Sequence, residues 1–195
     1  MESAIGILIL GLAVFLGTHS IAIVAPSFRA RMSARLGERG WKGLYAAASL
    51  VGLVLIVHGF ALARAAPVVL YTPPAWMRHV TFLLMLPVFP LLLAAYLPGR
   101  IQALTRHPML AAVKFWAFAH LLMNGRLADA LLFGGFLAWA VADRISLKHR
   151  ANVRTAHTAP PGRWNDAIAV VAGLGLYGLF VGWAHLRLFG VSPLG

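Results

Sequence analysis

The sequence predicts an all-α fold, a polytopic integral membrane bundle of about six transmembrane helices joined by short loops. Of its 195 residues, 61% are hydrophobic and 11% are charged, and the mean hydropathy is +0.81. Soluble domains are about half apolar and about a quarter charged, so a globular core could not bury this much apolar surface. The apolar residues fall in runs near the roughly 20 residues that cross a bilayer. We therefore expect the lipid bilayer as a partner and a single transmembrane domain over residues 1–195.

The apolar runs set the order of the spans. Pro26 ends the first run, and Pro98 follows the third. Pro87 and Pro90 lie inside the third run, where their missing backbone N–H groups should kink the helix. The predicted spans are residues 4–25, 44–63, 76–97, 109–123, 128–142 and 166–188.

Two further features of the spans predict local structure. Asp129 and Asp143 bracket the fifth span and are expected to cap that helix. Gly178 and Gly182 in the sixth span have the small-xxx-small spacing that favours close contact between membrane helices.

Basic residues predict the orientation of the bundle. Twelve of the 17 Lys and Arg residues lie in the loops after the first, third and fifth spans, whereas four lie on the opposite side. Loops rich in Lys and Arg face the cytoplasm, so both termini are predicted outside. The first of these loops, residues 26–43, is the most basic before the fifth span.

Charge and cysteine content exclude several functions. The formal net charge is +12, which is typical of proteins with polyanionic partners. Here the basic residues lie at the ends of apolar runs, where anionic lipid head groups are their natural partners, so we expect no nucleic acid. The chain has no Cys, which excludes disulfides, iron–sulfur clusters and thiol nucleophiles. Any metal would be bound by His or carboxylate.

Histidines are the main candidates for chemistry within the spans. Ionisable residues at membrane depth are costly, so each is a functional candidate. His19, His58 and His120 are the deepest of the eight. The others are expected at span ends or in solvated loops: His79, His107, His149, His157 and His185.

The fourth span carries two polar stripes. Trp116 and His120 are four residues apart and so share one face of the helix. His107 and Lys114 lie on a different face. A helix that is polar on two sides must be surrounded by protein.

These residues resemble a known family of membrane proteins, the NnrU family. The first span ends near a His-Ser pair that is similar to the family's. The residues that carry the resemblance are Thr18-His19-Ser20, Arg106-His107-Pro108, Trp116, Ala119-His120 and Asn124-Gly125. The number of spans and the pattern of loops extend the resemblance over most of the chain.

The resemblance implies a function and a cofactor. Bacterial NnrU proteins are associated with denitrification, in which nitrite and nitric oxide are reduced, so nitrogen-oxide respiratory proteins are the implied partners and the inner membrane the implied location. The family also includes the 15-cis-ζ-carotene isomerase, which holds a haem b between two His. Carried over to this chain, the iron ligands are His19 and His120, with Trp116 and His107 as further cofactor-binding residues. The isomerase has a Cys shortly before the second His, and this chain lacks it. The resemblance therefore implies isomerase-like redox chemistry less directly than it implies a role in denitrification.

Depth along the helices leaves one ligand open. At about 1.5 Å per residue, counted from the predicted cytoplasmic ends, His120 differs in depth by about 4–5 Å from His58 and by about 7–8 Å from His19. His58 is therefore an alternative partner for His120, and the resemblance favours His19.

Two other functions fit parts of the sequence. The Arg106-His107-Pro108 tripeptide also resembles isoprenylcysteine carboxyl methyltransferases, which use S-adenosylmethionine, but the later acidic pair of those enzymes is missing at residues 143–147. A non-catalytic carrier or assembly factor for haem or copper is the third hypothesis. No catalytic residue is assigned.

Overall fold

The computed structural model describes residues 2–150 and 159–195, and it confirms the all-α membrane fold. Outside the helices, the described residues contain turns, loops and one isolated β-bridge, between Val69 and Arg126. His157, in the last basic loop, lies outside the described residues. The helices are α1 (Glu2–Val24), α2 (Pro26–Ala65), α3 (Met77–Met85), α4 (Val88–Ala94), α5 (Arg100–Thr105), α6 (Pro108–Met123), α7 (Leu127–Ser146), α8 (Asn165–Leu179) and α9 (His185–Phe189), with a π-helical turn (Phe180–Ala184) between α8 and α9.

Each predicted span corresponds to a helix or to a pair of successive helices. Four segments are long and apolar enough to cross a membrane: Glu2–Val24, Pro26–Ala65, Met77–Ala94 and Asn165–Phe189. Helix α6 is a shorter apolar helix. Helices α6 and α7 correspond to the fourth and fifth predicted spans, so the total of six spans stays a prediction.

The segment after the first span differs from the prediction. Residues 26–43 were expected to form a loop, but they are helical and continue into the second span as α2. Pro26 suits the first turn of a helix, and the Ala and Arg residues that follow are good helix formers. The helix is kinked at Gly37, whose φ of 70° and ψ of 165° lie in a region that favours glycine. Residues 26–36 thus form a short helix before the kink, and the rest of the basic segment belongs to the helix that continues into the second span.

The chain divides into two compact units, which we describe separately. The first unit comprises residues 1–73 and 124–149 and contains α1, α2 and α7. The second comprises residues 74–123 and 150–195 and contains α3 to α6, α8 and α9. The single domain over residues 1–195 stays a prediction.

Three glycines let α1 and α2 of the first unit pack backbone to backbone. A Cβ at any of them would lie within 2.7 Å of a backbone nitrogen on the other helix, a distance that real side chains do not tolerate. Such close approach increases dispersion contact between membrane helices. The contacts are Gly11 against Ile56, Gly52 against Phe15, and Gly59 against Leu8.

The glycine pair predicted for close contact behaves otherwise. A Cβ at Gly178 or Gly182 would meet nothing within 4 Å in the part of the chain that the structure describes. In the same helical segment, Gly173 is the glycine that makes a close approach, since a Cβ there would lie 2.5 Å from the backbone nitrogen of Pro90 on α4. The prediction of close packing at Gly178 and Gly182 is therefore wrong, because the spacing alone does not say which face meets a neighbour.

The start of α7 is held at two points. The backbone N–H of Leu127 donates to the Val68 carbonyl oxygen (2.8 Å), which ties the loop after α2 to α7. The buried Asp129 carboxylate accepts the backbone N–H of Arg126 at 3.3 Å. The predicted capping role of Asp129 is therefore confirmed, whereas that of Asp143 is wrong, because α7 continues past it to Ser146.

In the second unit, proline breaks the third predicted span, as expected. Helix α3 ends at Met85 and α4 begins at Val88, on either side of Pro87. The Tyr177 hydroxyl of α8 donates to the carbonyl oxygen of Phe82 (3.1 Å) and fastens α3 to α8.

A second set of hydrogen bonds connects α8 to the turn before α5. The Asp166 carboxylate accepts the backbone N–H groups of Arg100 (2.8 Å) and Ile101 (3.0 Å). The Asn165 amide donates to the Pro98 carbonyl oxygen at 2.8 Å. These bonds satisfy backbone groups of the first turn of α5, which has no helical partners for them.

Candidate functional site

His19 lies near the end of α1 in an aromatic setting made by all three helices of the first unit. Its ring stacks on Phe15 with a centroid separation of 4.3 Å. Tyr45 of α2 and Trp139 of α7 meet the imidazole edge-on, at 5.3 and 5.9 Å. The side chain is half-buried, so it is held by packing on three sides.

A backbone hydrogen bond fixes the tautomer of His19. Its Nδ1 lies 2.7 Å from the Phe15 carbonyl oxygen, one helical turn earlier. A carbonyl oxygen only accepts, so Nδ1 carries the proton and the lone pair of the neutral ring lies on Nε2. This is the arrangement in which a histidine ligates iron or zinc through Nε2, with Nδ1–H bonded to a carbonyl.

His120 of the second unit has the same local geometry. Its Nδ1–H donates to the carbonyl oxygen of Trp116 at 2.8 Å. The two rings lie 5.5 Å apart, and Trp116 packs against a buried cluster formed by Val88, Leu91 and Ala112. The pair that shares one face of the fourth span is therefore placed on the core of its unit, and the tautomer of His120 is again the ligating one.

The alternative ligand His58 is placed differently. It lies on an exposed face of α2, whereas the glycines at 52 and 59 face α1. Among the described residues, no aromatic ring contact or side-chain hydrogen bond of His58 is found, in contrast to His19. Within the first unit, His19 is therefore the histidine that is packed and oriented, and His58 is exposed.

His107 lies next to a strained residue. Arg106 has a φ of 60° and a ψ of −36°, the one positive φ among the non-glycine residues described. Pro108 begins α6, as its pre-organised φ favours, and the His107 carbonyl oxygen accepts the backbone N–H of Ala111 (3.1 Å). A backbone held in such a conformation is frequently part of a functional site.

Tyr45 and Trp139 were not singled out in the sequence. The signal for Tyr45 is the run Trp41, Tyr45 and Ser49, whose spacing of four places them on one face of α2. Trp139 gives no comparable signal, because a tryptophan in an apolar helix is ordinary. Its position beside His19 follows from the packing of α7 on α1.

The histidines of the described residues are not gathered into a metal-binding cluster. Among residues 2–150 and 159–195, no group of three or more His, Asp or Glu is placed to hold a metal ion. A haem needs only axial ligands from the protein, and single, well-oriented imidazoles meet that need. His19, His120, Trp116 and His107 stay predicted site residues.

Comparison with known proteins gives one match. The family model described as NnrU protein matches residues 7–193, nearly the whole chain. No curated protein and no solved structure matches the chain.

Proposed function

The chain belongs to the NnrU family, and on that premise we propose that it binds haem b and acts in nitrogen-oxide respiration with the proteins that reduce nitrite and nitric oxide. It does so in the bacterial inner membrane, with both termini on the periplasmic side. His19 and His120 are the axial ligands, as the family resemblance implies.

The observation that carries the proposal is the shared geometry of the two histidines. In each, Nδ1–H donates to the carbonyl oxygen four residues earlier, at 2.7 Å for His19 and 2.8 Å for His120. The bond fixes the ring orientation and raises the basicity of Nε2, which strengthens an iron bond. With no Cys in the chain, imidazole is the natural donor for haem iron.

Neighbouring side chains and carbonyl groups orient the two histidine rings. Phe15, Tyr45 and Trp139 pack around the His19 ring and hold its plane. Trp116 orients His120 through its carbonyl oxygen, and His107 shapes the mouth of the site. When bound, the haem supplies one-electron and small-ligand chemistry whose potential depends on axial ligands, hydrogen bonds and burial.

The visible spectrum of the purified protein tests the proposal. Protein from haem-replete cells should show the Soret band of a haem with two histidine ligands and about one haem per chain. Binding of S-adenosylmethionine without a chromophore would instead support the methyltransferase. Substoichiometric haem or copper that is released to an acceptor would support the carrier. Either result overturns the proposal.

A further inference from the structure

A buried hydrogen-bond donor beside His19 has no acceptor. The indole Nε1 of Trp139 is covered from solvent and has no hydrogen-bond partner among the described residues. The indole and imidazole rings are perpendicular, with centroids 5.9 Å apart. Buried polar groups are almost always paired, so an unpaired one requires an explanation, and a missing ligand is one such explanation.

Helix α2, whose Tyr45 also contacts His19, has a second such group. Ser49, one turn from Tyr45 on the same side of α2, has a buried hydroxyl oxygen with no partner in the part of the chain that the structure describes. Two buried polar groups of the first unit therefore lack a partner among the described residues, one on Trp139 beside His19 and one on Ser49, a turn from Tyr45. A ligand that enters here has hydrogen-bonding groups to meet as well as a metal to coordinate.

The charged residues near Tyr45, at the end of the first unit where α2 begins, favour an anionic acceptor. Arg29 and Asp143 both lie near enough to the Tyr45 hydroxyl to act on it electrostatically. Arg29 lies in the first turns of α2, which also carries Arg31 and Arg35, with no acidic residue before Glu38. Asp143 is followed by Arg144, so cations outnumber anions at this end.

His19 lies close to that basic end. It lies five positions before Val24, the end of α1, which is roughly 8 Å of helix. A ligand coordinated by His19 and carrying carboxylates on one edge therefore has cations and an indole donor within the same unit.

We propose that Trp139 donates its indole N–H to a carboxylate of the haem, and that the haem's propionates face the basic end of the first unit. This assignment rests on the proposed function. Hydrogen bonds to charged acceptors are about twice as strong as neutral ones, which makes the missing acceptor a carboxylate in preference to a carbonyl.

Haem release from the holoprotein tests the assignment. We would compare wild-type protein, Trp139→Phe and the matched control Trp183→Phe, whose indole is exposed in the second unit. Each is loaded with haem b or with its dimethyl ester, and transfer to excess apomyoglobin is timed. Trp139→Phe should release haem b about tenfold faster than wild type, as expected for a lost hydrogen bond to a charged group. With the ester, the two should release at similar rates, and Trp183→Phe should match wild type with both.

Three results would count against it. Equal release of haem b by Trp139→Phe and wild type would show that the indole N–H contacts no carboxylate. The same acceleration with haem and ester would show that the ring acts by packing alone. Wild-type protein without a Soret band would overturn the proposed function itself, and this assignment with it.

Discussion

The imidazole of His19 stacks on Phe15 at 4.3 Å and donates its Nδ1–H to the carbonyl oxygen of the same residue at 2.7 Å. One residue thus provides both the surface and the acceptor that orient the ring. The consequence is a histidine whose Nε2 direction is set by a helical turn and by three aromatic neighbours, before any ligand binds.

The first prediction separates His19 from His58. Replacing His19 or His120 by Ala should remove the Soret band, because each change deletes a preoriented imidazole. His58→Ala should keep about one haem per chain, since its ring lies on an exposed helix face. Haem content per protein is measured by the pyridine haemochrome. If His58→Ala empties the protein and His19→Ala does not, the ligand assignment is wrong.

The second prediction concerns His107 and its strained neighbour. His107→Ala should leave haem content nearly unchanged while it lowers nitrite or nitric oxide reduction in cells, because His107 shapes the mouth of the site and does not bind iron. Trp164→Phe, an exposed position, serves as the control for a surface change. A loss of haem as large as in His120→Ala would make His107 a ligand.

The third prediction tests the glycine packing of α1 against α2. A methyl group at Gly59 would lie 2.5 Å from the Leu8 backbone nitrogen, so Gly59→Ala must push the helices apart. We expect a loss of about 1–3 kcal/mol in the free energy of unfolding. Unfolding in detergent is measured by circular dichroism. Gly17→Ala meets nothing within 4 Å and should be neutral or stabilising. Equal effects at the two positions would contradict the close packing.

The fourth prediction tests the bonds between α8 and α5. Asp166→Ala removes the acceptor for the Arg100 and Ile101 backbone N–H groups, so these two amides should exchange with deuterium faster. Asp166→Asn keeps one oxygen acceptor and should show a smaller change. Exchange is measured by mass spectrometry on a peptide that covers residues 98–106. Unchanged exchange in Asp166→Ala would mean that water replaces the carboxylate.

The fifth prediction tests the topology, and the absence of Cys makes it direct. Single cysteines at the exposed Ala34 and Thr72 lie on opposite sides of the second span. In intact cells, a membrane-impermeant maleimide should label Thr72→Cys from the periplasm and should label Ala34→Cys only after lysis. The reverse pattern would invert the orientation inferred from the basic loops.

Much of the fold follows from the sequence because hydropathy and backbone chemistry are local. The apolar runs predict where helices lie, Pro87 predicts the break between α3 and α4, and Asp129 predicts the cap of α7. The pairing of His120 with Trp116 likewise requires only a spacing of four on one helix. Each of these features depends on residues that are neighbours along the chain.

The tertiary structure decided what depends on which helix faces meet. Spacing suggested Gly178 and Gly182 as contact residues, but Gly11, Gly52 and Gly59 make the close approach in the first unit. It also brought Trp139 of α7 beside His19 of α1, about 120 positions apart in the chain, and left His58 exposed. Side chains point outward on all sides of a helix, and packing against a neighbouring helix decides which side is buried. The aromatic surroundings of His19 therefore could not be predicted from periodicity alone.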